Sequence, residues 1–252
     1  FMGKDNEIIL ICEPICWGNE HVPVNAGIIE VIHYAFPNKQ IHFWGEPTHS
    51  RALKKQIGGF HSKKITWKTI DIAPRFIKRD KRVGGDARLI FEAIKFIKKK
   101  NTHGHLVFCS TLPIMLILTK VFLSVNGNLS AQFIFHGNLN EIYDRQPRNP
   151  FLKIQTIRSA LLIGSNEKIK YLVLEESIIK AFIKMMPSLE KFVYCLGHPV
   201  PPNEYGIKSL KLKEPIKFGF LGLACEEKGF SFFLEIACVL SNRYHGRVEF
   251  HG

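Results

Sequence analysis

Short apolar runs alternate with amphipathic helical patterns along most of this 252-residue chain. The runs are rich in Ile, Val and Phe and stay apolar over most of their length, which is typical of parallel strands covered on both faces. The clearest helical pattern lies at residues 85–100, where apolar residues recur at intervals of three and four. This alternation predicts an α/β fold with a doubly wound, mostly parallel sheet. The predicted strands are 7–12, 40–45, 64–71, 105–110, 131–136, 170–175 and 192–196.

A proline-rich stretch divides the chain into two parts. Three prolines fall between residues 198 and 202, where they cannot continue a helix or a sheet. We therefore expect a first domain at residues 2–197, a linker at 198–215 and one βαβ unit of a second domain at 216–252. In that unit a strand at 216–222 leads into a helix at 228–244, and a second strand follows at 247–251.

The turn of this βαβ unit has the pattern of an anion-binding site. The strand ends at Gly222, and the helix is predicted to begin at Lys228 and Gly229. The free amide groups and the dipole of a helix N-terminus attract phosphate, and Lys228 adds a positive charge. An ordinary βα turn is the alternative interpretation.

The stretch FLGLACEEKGFSFFLEIA, residues 220–237, resembles the segment that opens the C-terminal domain of family-four (group 1) glycosyltransferases with the GT-B fold. Residues 149–182 and 192–200 are similar to the family's helix–strand–helix unit and to its crossing between domains. The resemblance implies two Rossmann-like domains, with the acceptor side at residues 2–197 and the chain ending early in the second domain. It also implies that Gly222, Lys228 and Gly229 bind the donor diphosphate. The family's Arg after the glycine is replaced by Leu223 here.

The first predicted turn, residues 13–21, follows the first strand. Ligands of parallel α/β sheets bind beyond the carboxyl ends of the strands, so this turn is a candidate site. The resemblance implies that Gly18, Asn19 and His21 form a loop beside the acceptor or the donor phosphate. A simple helix cap is the alternative role for Asn19.

Three further residues are expected at the same edge of the sheet. His136 ends the fifth predicted strand, and the resemblance implies that it contacts the transferred sugar, which makes it the catalytic candidate. Ser110 ends the fourth predicted strand, and Glu176 follows the sixth. The alternatives are a helix cap for Ser110 and an acidic first helical turn for Glu176.

The net charge of +13 is concentrated at residues 75–82 and 95–100. One interpretation is that these basic residues form a solvated face with cations at a helix C-terminus. The functional alternative is that they bind an anionic membrane surface or a phosphorylated acceptor. Nucleic acid is not expected as a partner, because these segments lack interleaved aromatic residues.

Cofactor and metal motifs are missing from the sequence. There is no G-x-G-x-x-G fingerprint, no Asp-x-Asp pair and no Cys/His spacing for zinc. We therefore expect no cofactor other than the nucleoside diphosphate sugar substrate, and no metal. The six cysteines are expected to be reduced thiols of a cytoplasmic protein.

The resemblance implies a retaining glycosyltransferase that moves a sugar from a nucleoside diphosphate sugar to a hydroxyl acceptor in polysaccharide or glycolipid synthesis. The acceptor would be lipid-linked and the enzyme peripheral at the inner face of the plasma membrane. A degenerate GT-B relative acting as a binding or scaffold module is one alternative, which Leu223 favours, and a GT-B sugar-nucleotide epimerase is another. The helix at 228–244 carries an aromatic stripe with Phe232 and Phe233, which predicts either a homodimer through this unit or a poorly ordered segment.

Overall fold

The computed structural model describes residues 7–58, 63–70, 79–100, 103–136, 156–164, 167–199, 214–220 and 229–251. The chain divides into two compact units, residues 1–202 and residues 203–252. Of the sequence-predicted segments, most of the linker at 198–215 and part of the basic segment at 75–82 lie outside the described residues.

The first unit is built on a seven-stranded parallel sheet, which confirms the predicted fold class. Its strand order is β3-β2-β1-β4-β5-β6-β7, and every neighbouring pair is parallel. The strands are β1 (Ile8–Cys12), β2 (Gln40–Gly45), β3 (Ile65–Thr69), β4 (Gly104–Phe108), β5 (Leu129–Phe135), β6 (Ile169–Val173) and β7 (Val193–Cys195). Several end earlier than predicted, so Ser110 and His136 lie just beyond their strands.

Helices cover both faces of this sheet. One face packs against α1 (Val22–Ala35) and α2 (Pro47–Ile57), and these form one apolar core with the side chains of that face. The other face packs against α3 (Arg79–Lys99), α4 (Pro113–Val125), α5 (Ile157–Leu162) and α6 (Glu176–Met185). A 3₁₀ helix at Pro187–Phe192 leads into β7. In the described part of the chain no helix has the length and apolarity needed to cross a bilayer.

Proline and glycine fix several of these positions. Pro stands in the first turn of α1, α2 and α4, where its missing N–H costs no helical hydrogen bond. Gly27 in α1 has no room for a side chain, because a Cβ there would lie 2.2 Å from the carbonyl oxygen of Pro199. The chain leaving β7 therefore packs directly on the backbone of α1.

The strand order creates one switch point, between β1 and β4. The chain winds from β1 outward to β3 on one side, and then crosses to β4 and continues outward to β7 on the other. Loops at the carboxyl ends of β1 and β4 therefore diverge, and such a point is where open α/β sheets bind ligands.

The second unit contains a βαβ unit of two parallel strands and one helix. The elements are β8 (Ile216–Gly219), α7 (Phe230–Arg243) and β9 (Val248–His251). The ring of Phe233 packs against those of Phe220 and Phe250. No described residue of this unit is buried.

Candidate active site

Glu13 is the first residue after β1 and is completely buried at the switch point. Its Oε1 accepts hydrogen bonds from the backbone N–H groups of Ile15, at 2.8 Å, and Cys16, at 3.1 Å. Its Oε2 accepts one from the hydroxyl of Ser110, at 2.9 Å. Ser110 therefore joins the loop after β4 to the loop after β1. It does not cap α4, whose N-cap is Leu112 with no side-chain hydrogen bond.

His136 lies half-buried immediately after β5. Its Nε2 donates a hydrogen bond to the carbonyl oxygen of Cys109, at 2.6 Å. Burial lowers the pKa of His136, and the hydrogen bond to Cys109 only partly offsets this effect. A neutral ring that donates from Nε2 keeps a lone pair on Nδ1, so His136 can accept a hydrogen bond from a ligand hydroxyl.

His21 is exposed and precedes the first turn of α1 as its N-cap residue. Its backbone is left-handed, with φ 52°, and it is the one described residue other than glycine with positive φ. Its ring contacts that of His136 edge to face, with ring centroids 5.1 Å apart. The sequence-predicted loop histidine and the strand-end histidine are thus neighbours at the carboxyl edge.

The two other predicted loop residues have different roles. Gly18 has φ 50°, and its N–H donates to the hydroxyl of Thr48 at 3.0 Å. Asn19 is exposed, and the interpretation of its side chain as a helix cap is wrong. The N-cap is His21, two residues later, and Asn19 contributes only its backbone carbonyl, which accepts from the N–H of Val22.

Glu176 lies in the first turn of α6, which fits the acidic helix start considered as its structural role. The preceding Glu175 is the N-cap residue, and its carboxylate lies 3.6 Å from Nε2 of the exposed His198. The charge of His198 also contributes to the lowered pKa of His136, after burial and His21. Among the described residues, Glu176 makes no hydrogen bond or ion pair with His21, His136 or His198.

Of the predicted donor-binding residues, Gly222 and Lys228 lie outside the described residues. Gly229 is the N-cap of α7, with φ 76°. No atom of a described residue lies within 4 Å of a Cβ built there, so the reason for glycine that the described residues give is the left-handed backbone.

Sequence reasoning missed the polar residues that surround Glu13. Asn25 of α1 and His49 of α2 are both completely buried and hydrogen-bonded to each other at 3.0 Å. His49 has no partner at metal-ligand spacing, so the sequence draws no attention to it. One signal was available, because Glu13 is an acidic residue directly after a fully apolar strand, where an unpaired charge would be costly.

Metal coordination has no support in this part of the structure. Within the residues described, no three or more His, Cys, Asp or Glu side chains are grouped so that they could hold a metal ion. The edge instead offers imidazole groups and helix N-termini, which suit hydroxyl and phosphate ligands.

Sequence comparison finds no matching family profile and no matching curated protein. Comparison of structures finds the UDP-glycosyltransferase UGT89C1 of Arabidopsis thaliana, complexed with quercetin or with UDP, at TM-score 0.57 in both cases. It also finds a UDP-glucose: anthocyanidin 3-O-glucosyltransferase in complex with UDP, at TM-score 0.55.

These three matches have 11%, 9% and 13% sequence identity and cover 99%, 97% and 99% of this chain. The chain spans 70%, 66% and 72% of the length of the matched chains. The likeness at such low identity is one of fold: an α/β fold with the Rossmann-like sheet of GT-B glycosyltransferases. The matched enzymes do not confirm family four in particular.

Proposed function

We propose that this protein transfers a sugar from a nucleoside diphosphate sugar to a hydroxyl acceptor. The observation that carries the proposal is the pair of neighbouring histidines, His21 and His136, at the carboxyl edge of a sheet with this fold. The neutral His136 accepts a hydrogen bond from a sugar hydroxyl, and the exposed His21 binds the acceptor hydroxyl. The resemblance supports a donor-diphosphate role for Gly229, the N-cap residue of α7, and for Lys228, which lies outside the described residues.

The stereochemistry and the acceptor class are finer parts of this proposal. The family-four resemblance supports retention of the anomeric configuration and an acceptor in polysaccharide or glycolipid synthesis. In a retaining transfer the leaving diphosphate takes the acceptor proton, and His21 orients the hydroxyl. An inverting transfer would instead make His21 the general base. We keep retention as the proposal, together with a reaction that needs neither a metal nor a further cofactor.

The test is a transfer assay with a panel of UDP-, GDP-, ADP- and dTDP-sugars and hydroxyl acceptors. We expect one nucleoside diphosphate to raise the melting temperature, and its sugar conjugate to give a product whose anomeric configuration is read by NMR. A ligand at one hundred times its Kd adds about 2.7 kcal/mol to the unfolding free energy. Stabilisation without transfer to any acceptor would favour the non-catalytic alternative, and no stabilisation by any nucleotide would contradict the proposal.

We also propose that the first unit contacts an anionic membrane at the cytoplasmic face, through the C-terminal half of α3. Phe91, Lys95 and Lys98 are exposed and stand at helical spacings of four and seven, so they share one face. An apolar ring flanked by lysines suits a surface of anionic lipid headgroups.

Vesicle binding tests this contact. Reversing both charges with Lys95→Glu and Lys98→Glu should weaken binding to anionic vesicles more than tenfold at low salt, since each surface lysine contributes about 1 kcal/mol. The matched control is Arg51→Glu with Lys55→Glu, the same charge change at exposed positions of α2. Equal losses in both double variants would mean that net charge alone drives binding.

A further inference from the structure

The carboxylate of Glu13 is the centre of a buried hydrogen-bond network. Four donors surround it: the backbone N–H groups of Ile15 and Cys16, the hydroxyl of Ser110, and Nδ2 of Asn25 at 3.0 Å. Two of these donors belong to the loop that follows β1, and the other two come from the loop after β4 and from α1. The start of the loop is therefore held between two strands and a helix.

The network continues from Glu13 to α2 through Asn25. Nδ2 of Asn25 lies 3.0 Å from Oε2 of Glu13 and 3.0 Å from Nε2 of His49. The amide has two hydrogens, one for each acceptor, whereas a reversed amide would place Oδ1 against the carboxylate. Nε2 of His49 is therefore the accepting nitrogen and Nδ1 carries the proton, and burial, which lowers the pKa of His49, favours this neutral form.

The far end of the network holds the backbone of Gly18. Nδ1 of His49 donates to the carbonyl oxygen of Gly18 at 3.0 Å, and the N–H of Gly18 donates to the hydroxyl of Thr48 at 3.0 Å. Thr48 in turn donates to the carboxylate of Glu46, the N-cap residue of α2. The first turn of α2 thus fixes both the N–H and the carbonyl of Gly18. Gly18 lies three residues before His21 in the chain.

We infer that Glu13, Asn25 and His49 are positioning residues for the acceptor-binding ring of His21. The loop from residue 13 to residue 21 is held at its start by Glu13 and near its end by His49, and Asn25 couples the two. Gly18 lies three residues before His21 and is held by α2 through its N–H and its carbonyl, so a shift of the Gly18 backbone also shifts the chain that leads into His21. The inference rests on the proposed transfer reaction for its functional meaning, although the geometry of His21 can be measured without it.

The test compares two substitutions of His49 in the full chain. His49→Asn keeps a side-chain donor for the Gly18 carbonyl, and His49→Leu removes it. We expect His49→Leu to lower kcat on the order of 100-fold, the effect of a misplacement of about 1 Å, with KM for the donor unchanged and with rescue by His49→Asn. Ser50→Ala is the matched control, because the buried Ser50 hydroxyl has no hydrogen-bond partner among the described residues.

A second readout separates this inference from the proposed function. With ¹⁵N-labelled histidine, the ring signals of His21 should shift or broaden in His49→Leu and stay in place in Ser50→Ala. Unchanged His21 signals in a folded His49→Leu protein would overturn the inference. Displaced signals in a protein that transfers no sugar would overturn the proposed function and leave the positioning role standing.

Thr48→Val provides a variant that keeps the core intact if His49→Leu does not fold. Thr48 is exposed, and the substitution removes the acceptor for the Gly18 N–H together with the hydrogen bond from Thr48 to Glu46. We expect a smaller shift of the same His21 signals and a kcat reduced on the order of tenfold, a smaller loss than the 100-fold of a full misplacement. No change in either quantity would also overturn the inference.

Discussion

His21 has a backbone conformation that its side chain disfavours. A non-glycine residue in the left-handed region costs about 1 kcal/mol or more, and such residues are concentrated at functional sites. The exposed ring makes an edge-to-face contact with His136, which is a small compensation. A histidine in this strained conformation is expected to serve the chemistry of the edge and not the stability of the fold.

Replacement of His21 by Asn should separate these two properties. Asn tolerates the left-handed region better than most residues, so the unfolding free energy should stay unchanged or rise by up to about 1 kcal/mol. Sugar transfer should fall on the order of 100-fold. Urea denaturation and initial-rate assays measure the two effects, with Arg51→Ala at an exposed position of α2 as the control. A variant that loses stability and keeps its rate would contradict both expectations.

The positions of His21, Gly18 and His136 could be predicted because each lies at the end of a recognisable strand or in the loop after one, and their role in a site stays a prediction. It did not identify Asn25 and His49, since their role depends on two helices being brought to one buried carboxylate. A pattern of apolar spacing reports which face of a helix is buried, but not which polar side chains meet inside. The Ser110 and Asn19 caps were wrong because each helix begins later than predicted: the N-cap residues are Leu112 and His21, each two residues further along the chain.

At the scale of elements, α5 is short, and its C-terminal end depends on a lysine from α4. Lys120 is buried, and its Nζ donates to the carbonyl oxygens of Ala160, Leu161 and Ile163 at 2.9, 2.9 and 2.8 Å. These are carbonyl groups that have no partner within the helix. Burial lowers the pKa of Lys120 to about 8, and the three acceptors hold the ammonium group in place.

Lys120→Met should therefore destabilise the protein although it preserves the volume of the side chain. We expect a loss of about 2–4 kcal/mol, because three buried carbonyl oxygens lose a charged donor. Equilibrium unfolding in urea provides the measurement. The control is Lys180→Met at an exposed position of α6, which should change stability by less than about 0.5 kcal/mol. A loss below about 1 kcal/mol for Lys120→Met would show that water replaces the lysine.

Most strands could be predicted because they are apolar on both faces, and β2 was predicted to the residue. The 3₁₀ helix at Pro187–Phe192 was not predicted, because six residues are too few to show a helical period. The α3 helix begins at Arg79, before the predicted residue 85, since its charged first turns carry no apolar pattern. Where the first turns of a helix are polar, the apolar pattern therefore predicts a start that lies too late in the chain.

At the scale of the whole molecule, the two units differ in how much they bury. The first unit has an apolar core on each face of its sheet, whereas no described residue of the second unit is buried. On α7, Phe232 and Val239 are 66% and 63% exposed and lie seven residues apart on one helix face, with Ile236 between them. Exposed apolar stripes of this kind mark association surfaces.

We predict that the protein self-associates through α7. Sedimentation velocity at increasing concentration should show a dimer, and Phe232→Glu should weaken it more than tenfold by placing a charge in the contact. Tyr34→Glu, at a side chain of the first unit that is 90% exposed, is the matched control and should leave the equilibrium unchanged. A monomer at all concentrations, or equal effects of both variants, would contradict the prediction.

The hydrogen bonds at Gly18 have a consequence for how this protein could acquire new acceptors. The loop at residues 13–21 is held through its backbone: the N–H and the carbonyl of Gly18, which has no side chain, are hydrogen-bonded to α2. Neighbouring side chains such as the exposed Asn19 are therefore free to change while the ring of His21 keeps its place. Side-chain atoms of the loop can then set which acceptor binds, while its backbone atoms keep the catalytic geometry fixed. Directed evolution at residue 19 should yield altered acceptor preference far more often than substitution of residues 13, 25 or 49.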